Sequence, residues 1–449
     1  MEVTAVKKRL QILCLLLAAS LLVTGCAMRT VDEMYCPPKR SDEFNHLQSA
    51  IDSVIGSWVY SAPLVGENQQ TVQMADLNGD GIQEFLLFAK GTGEKPLKIM
   101  IFQKIGEEFQ LKHTIESAGS AFEQVEYVQM DSRPGYELVV GRQLSDQVLR
   151  SVCVYNFSGS EPERLIVENY SKFLTCDLNR DRVSELMILC PGPTETDNGV
   201  AKLLQIRSGS AERSPEVEMS EPVDHLKRIM VSQLHDGIPA VYVASQVDEN
   251  TLTTDVFAMT GSHFFNVTKS NESGTQVQTQ RNYYVYGSDI DSDGEMELPD
   301  LIPMRPVRPS LPELQYLIRW YTMTIAGQEV DKLFTYHDFD GKWYFSLEQD
   351  WAQRVSVVKN KSVRDETQFE FYIWDENWED PVKVLTIFIL TGENRIEAAA
   401  QSNRFLLHKT DIAVYAAKLE GASAAYAITQ ELVQSSFHMI HMDWKTGET

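Results

Sequence analysis

The sequence predicts a mainly β protein: a β-propeller of about five four-stranded blades, within a range of five to seven, followed by a small C-terminal α+β domain. Three observations predict it. From about residue 68 onward, short apolar runs of strand length alternate with turns rich in Gly, Asp, Asn and Ser. An acidic turn recurs between such runs in one register. Its recurrence has a period near fifty residues: Asp76 to Asp131 is 55, Asp131 to Asp177 is 46, and Asp177 to Asp289 is 112, two units of 56. A four-stranded sheet has a face it cannot cover alone, so units of this size stack as blades. The 449 residues leave room for two or three domains, and 43% hydrophobic with 23% charged residues is a globular composition.

The leading segment reads as an address. Lys7, Lys8 and Arg9 precede an apolar stretch, Leu10 to Leu22, that is short for a membrane span. Val23-Thr24-Gly25-Cys26 comes next, and the whole resembles a bacterial lipobox. That resemblance implies a signal peptide over residues 1–25, a lipidated Cys26, and a protein held on the outer side of the cell membrane. Each acyl methylene buried in lipid adds about 0.8 kcal/mol to such an anchor. Losing three basic residues and one acid from 40 and 64 leaves 37 and 63, a net charge of −26. A field this negative excludes nucleic acid as a partner and favours divalent cations.

Residues 26–40, with Pro37 and Pro38, read as a tether. Over 41–60, Phe44, Leu47, Ile51, Val54, Ile55 and Trp58 fall on one face of a helix expected to dock on the neighbouring β domain. The propeller is expected over 65–347. Its first unit has strands at Thr71–Ala75, Phe85–Ala89, Leu97–Gln103 and Phe109–His113. Later units begin at Val125, Phe173, Ile229 and Tyr283. Of the cysteines, Cys36, Cys153, Cys176 and Cys190 show no metal spacing; buried free thiols are expected, with a Cys176–Cys190 disulfide as the alternative.

The acidic turn carries the one legible chemistry. Its clearest copy is Asp76-Leu77-Asn78-Gly79-Asp80-Gly81-Ile82-Gln83-Glu84. A second is Asp289-Ile290-Asp291-Ser292-Asp293-Gly294-Glu295-Met296-Glu297. A weaker one, Asp177-Leu178-Asn179-Arg180-Asp181-Arg182-Val183-Ser184-Glu185, has Arg182 where the others have glycine. Side-chain oxygens at positions 1, 3, 5 and 9, with the backbone carbonyl of position 7 (Ile82, Val183, Glu295), make a set of hard donors of the kind calcium selects. The same residue types also favour turns that hold no ion. The Asp131 turn is two residues short and lacks the middle oxygens, so no ion is expected there.

"ADLNGDGIQEFLLF" and "SDIDSDGEMELPDL" resemble the FG-GAP and VCBS repeats, whose acidic loops lie between the first two strands of propeller blades and bind calcium. The resemblance covers roughly residues 65–345 and implies architecture more strongly than activity. It departs from the pattern at the Asp131 and His235 units, and in part at Asp177.

From about residue 348 to 449 the character changes to α+β. Arg354–Lys359, Gln368–Trp374, Val382–Leu390, Arg404–His408 and Ile412–Ala417 read as strands, and a helix capped by Thr429 runs through Ile440, placing His438 and His441 on it. No nucleophile elbow, zinc-protease, Walker or dinucleotide motif stands in a fitting context. The expectation is a non-enzymatic, calcium-stapled binding protein whose partner is a cell-wall glycan or another surface protein. The alternatives are a glycan-acting enzyme on a propeller scaffold, and an accessory or sensory partner of a membrane complex.

Overall fold

A computed structural model describes residues 42–440, apart from 145–148, 195, 270–278, 283–284, 309–314 and 402. The signal segment, Cys26, Cys36, the tether and His441 lie outside the described residues.

The described chain is mainly β, in six antiparallel sheets taken in chain order. Sheet 1 holds β1 (Val59–Tyr60), β2 (Val72–Ala75), β3 (Glu84–Lys90), β4 (Leu97–Ile105) and β5 (Glu108–Ser117); β1 and β2 both pair with β3. Sheet 2 is the meander β6 (Ala121–Val128), β7 (Glu137–Gln143), β8 (Arg150–Asn156) and β9 (Glu163–Tyr170). Sheet 3 is β10 (Lys172–Cys176), β11 (Glu185–Cys190), β12 (Val200–Arg207) and β13 (Ser210–Arg213), with β14 (Val217–Glu218) also on β12. Sheet 4 is β15 (Leu226–Gln233), β16 (Pro239–Gln246), β17 (Leu252–Thr260) and β18 (His263–Asn266).

The last two sheets depart from the simple meander. Sheet 5 is β19 (Leu298–Pro303), β20 (Tyr316–Met323), β21 (Glu329–Asp338) and β22 (Trp343–Leu347), closed by β28 (Phe437–Met439) from the far end of the chain. Sheet 6 runs in the order β23 (Val355–Val363), β24 (Glu366–Ile373), β25 (Val382–Leu390), β27 (Val414–Leu419), β26 (Phe405–Lys409).

The sequence of the second strands explains the stacking. A strand covered on both faces is apolar at every position, and alternate residues feed two different cores. On β11, Leu186 and Ile188 pack toward sheet 2, while Met187 and Leu189 pack toward sheet 4. On β7, Leu138 and Val140 join sheet 1, and Val139 joins sheet 3. On β16, Val241 and Val243 join sheet 3, and Ala240 and Tyr242 join sheet 5. Sheets 5 and 6 share the largest aromatic core, with Trp343 and Tyr336 against Phe369 and Phe371.

Helices cover one face of sheet 1 and one face of sheet 6. Leu87, Ala89, Met100 and Phe102 of sheet 1 meet Leu47 and Ile51 of α1 (Asp42–Ile55). Phe388, Leu390, Val414 and Ala416 of sheet 6 meet Ala398 and Ala399, which lie on a short helix, Arg395–Ala399, after β25. Among the described residues no core cluster joins sheet 1 to sheet 6.

Two expectations are corrected. Of the strand expected at Tyr283–Tyr286, Tyr283 and Tyr284 lie outside the described residues, Val285 and Tyr286 lie outside every strand, and the described segment just before the Asp289 turn keeps a bridge, Ser288 to Glu297. The expected final helix keeps its Thr429 cap, whose Oγ1 accepts from the Leu432 amide at 3.2 Å, but ends at Ser436. The next residues pair with β22, because Phe437 gains more by stacking on Trp343 at 5.3 Å than by continuing a surface helix. His438 is therefore a strand residue, stacked on Tyr344. Cys153, Cys176 and Cys190 are buried free thiols, so the Cys176–Cys190 disulfide does not form.

Candidate metal centre

The acidic turns lie between β2 and β3 in sheet 1, β6 and β7 in sheet 2 and β10 and β11 in sheet 3, and immediately before β19 in sheet 5. Their backbones match. Positions 4 and 6 are left-handed in all three full copies: Gly79 and Gly81 (φ 74° and 82°), Arg180 and Arg182 (63° and 71°), Ser292 and Gly294 (64° and 91°). The same curl thus forms at Arg180 and Arg182 against the steric penalty of a Cβ.

In the Asp76 turn the carboxylates are answered from within. The Asp76 carboxylate accepts from the amides of Gly79 and Gly81 at 2.8 and 2.9 Å. Asp80 accepts from the Ile82 amide, and Asn78 Oδ1 from the Asp80 amide. Glu84 is buried, and both its oxygens are used: one accepts from the Leu77 amide at 2.9 Å, the other from Asn78 Nδ2 at 2.8 Å. Burial raises the Glu84 pKa against the pull of that amide. The Asp177 turn repeats this plan except at its first residue, where Asp177 Oδ1 is buried without a hydrogen-bond partner. Glu185 accepts from the Leu178 amide and from Asn179 Nδ2, and gains Gln205 Nε2 at 2.8 Å. Asp181 accepts from the Val183 amide, and Asp177 from that of Arg182. In the shortened Asp131 turn, Arg133 lays its guanidinium on Asp131, with Nε at 2.7 Å, and Asn156 Nδ2 serves Glu137. That turn carries its own cation.

The Asp289 turn differs where the position-9 glutamate is answered. Position 3 is Asp291, not asparagine, and it offers no N–H to the glutamate at position 9. Glu297 is fully buried; Oε2 accepts from the Ile290 amide at 2.9 Å, and Oε1 has no hydrogen-bond partner. Ligand oxygens of Asp289, Asp291 and Glu297 all lie within 4.8 Å of one another. Among the described residues this is the one such convergence of three acidic, His or Cys side chains. Burial, then the charges of Asp291, Asp293 and Asp289, push the Glu297 pKa up to about 8. Burial and Asp293 likewise raise Asp291. An orphaned buried carboxylate oxygen facing two others is a seat for a hard cation.

The remaining two acids of the turn face elsewhere. Asp293 gives one oxygen to the Glu295 amide and the other to Lys332 Nζ. The Glu295 side chain pairs with Lys332 at 2.8 Å and His235 Nδ1 at 3.2 Å. Lys332 holds the Asp293 carboxyl below the usual range. The spacing placed Asp293 in the donor set but gave no sign of Lys332 or His235, which come from β21 and from sheet 4.

The turns also join sheets. The amide at position 8 reaches back to a carbonyl of the preceding sheet: Tyr136 to Asp76 at 3.0 Å, Ser184 to Gln129 at 2.8 Å, Met296 to Gln233 at 3.0 Å. Gly135 sits against the Asp76 turn so closely that a Cβ there would lie 2.6 Å from the Leu77 oxygen. Two cavities open beside the turns. One of about 510 Å³ lies between the Asp131 and Asp177 turns, lined by Arg133, Asp181 and Arg207. One of about 260 Å³ lies between sheets 1 and 2, lined by Asn78, Glu84, His113 and Phe157.

Among the described residues no helix is long and apolar enough to cross a membrane. No family model matches the chain, and no curated protein matches it. Among solved structures the chain is similar to a crystal structure of a protein from Lactobacillus plantarum, a structural-genomics target. The identity is 9% over 72% of this chain and 86% of that one, with a TM-score of 0.26. At that score the likeness carries neither fold nor function.

Proposed function

We propose that this protein is a non-enzymatic binding protein, lipid-anchored through Cys26 outside the cell membrane, whose stacked blades are stapled by calcium at the Asp289 turn. The observation that supports the cation is the partnerless Glu297 Oε1 beside Asp289 and Asp291. The Asp76 turn, saturated by its own amides, serves as a metal-free copy of the same clasp; the Asp177 turn keeps one buried unpartnered oxygen, Asp177 Oδ1, but its acids do not converge as those of the Asp289 turn do. The sheets are read as blades in an open stack of six, capped by helices at both ends, rather than a closed ring. Calcium, with six to eight oxygen ligands at flexible geometry, suits three carboxylates plus backbone and water better than magnesium does.

The staple serves the joint between sheets 4 and 5. Its turn carries the Met296–Gln233 hydrogen bond and the Glu295–His235 pair, so a cation that fixes the turn fixes the joint. A rigid outward-facing stack suits the capture of cell-wall glycan or a surface protein. The test uses the chain from residue 27. Millimolar calcium raises its melting temperature and a chelator lowers it, and calcium-dependent retention appears on cell-wall glycan or on a surface protein. A melt indifferent to calcium and chelator overturns the staple. Hydrolysis of the glycan overturns the non-enzymatic reading.

A further inference from the structure

The Asp289 turn carries five acidic side chains in nine residues, yet only three of them converge. The division is made by Lys332. It stands on β21, its side chain 17% exposed, and its ammonium bonds Asp293 and Glu295 together. Asp293 is the residue that the turn's spacing assigns to position 5, yet one of its oxygens accepts from the Glu295 amide, the other is held by the Lys332 ammonium, and it is not among the three carboxylates that converge. Asp80, at the same position of the Asp76 turn, meets only its own loop, through the Ile82 amide and Asn78.

We infer that Lys332 is the specificity-determining residue of this centre: it withholds Asp293 and Glu295, limits the ion to three carboxylates, and so sets its affinity and charge preference. The inference rests on the cation reading proposed above. A hard cation bound by three carboxylates and filled out by water is held less tightly than one bound by four, because affinity follows the count of charged ligands. Lys332 also places a fixed positive charge beside the seat, which penalises a trivalent ion more than a divalent one.

Replacing Lys332 by Met frees the second Asp293 oxygen and removes that charge. Calorimetric titration of Lys332→Met with calcium gives an affinity roughly tenfold tighter than wild type. Terbium luminescence shows a larger gain. Lys332→Arg, which keeps the charge, binds as wild type does. A merely structural lysine would move affinity the other way, and thermal melts of each variant establish that it folds. If wild type binds and Lys332→Met binds equally or more weakly, the assignment to Lys332 is overturned and the centre stands. If only Lys332→Met binds, Lys332 is confirmed as the controlling group and the loaded wild-type state is overturned. If neither binds either ion, the cation centre falls and this inference with it.

Discussion

One functional group separates the Asp76 and Asp177 turns, whose position-9 glutamate is hydrogen-bonded at both oxygens, from the Asp289 turn, whose glutamate keeps an unpartnered one. Asn78 and Asn179 each turn an amide N–H to the glutamate at position 9; Asp291 has none to give. Exchanging the two residues should exchange the behaviours. Asp291→Asn is expected to raise the melting temperature of the calcium-free protein and to abolish its calcium shift. Asn78→Asp is expected to lower stability without calcium by about 1–3 kcal/mol, the cost of orphaning a buried acceptor. Differential scanning calorimetry with calcium and with chelator reads both. Spacing made the donor positions legible in the sequence, and the Asn/Asp difference at position 3 was in view. Its consequence was not, because it depends on which way the buried Glu297 points once the backbone has curled.

At the scale of elements, the turns act as clasps between neighbouring sheets. Gly79 and Gly81 are both left-handed, but a Cβ at Gly79 would lie 2.5 Å from the Pro134 carbonyl carbon, whereas Gly81 faces open space. Gly81→Ala should cost about 1 kcal/mol, the left-handed penalty alone. Gly79→Ala should cost about 2–4 kcal/mol, because the neighbouring turn must move as well. Urea denaturation of the pair separates strain from interlock. The sequence pattern required glycine only at position 6; the contact that makes position 4 matter lies in the next sheet and leaves no local mark.

A second element-scale prediction concerns β21. Burial pushes the His337 pKa down to about 3 from 6.5. The unfolded chain takes up that proton near pH 6.5 and the folded chain only near 3. Stability from this group is therefore full above pH 6.5 and is lost as the pH falls toward 3. His337→Phe should flatten this acid limb, by roughly 4 kcal/mol at pH 3, in melts taken across that window.

For the whole molecule, the strand positions and the repeat were readable because alternate residues on β7, β11 and β16 face two cores, which makes each second strand an unbroken apolar run. What covers Leu87 and Ala89 of sheet 1 was not readable. Leu87 and Ala89 look no different in sequence from residues that meet another sheet, yet they meet α1. Nor was it readable that β28 returns to sheet 5. If α1 is the cap of an open stack, Ile51→Asp should destabilise sheet 1 by about 3 kcal/mol or more and expose an aggregating face, seen as dye binding and loss of monomer by light scattering.

The central claim is a single cation seat made by Asp289, Asp291 and Glu297. Equilibrium dialysis against calcium, with the bound metal counted per chain, tests it most directly. The account predicts one ion per wild-type chain and none in Asp291→Asn or Glu297→Gln. No ion in wild type, or an undiminished count in both variants, would contradict it.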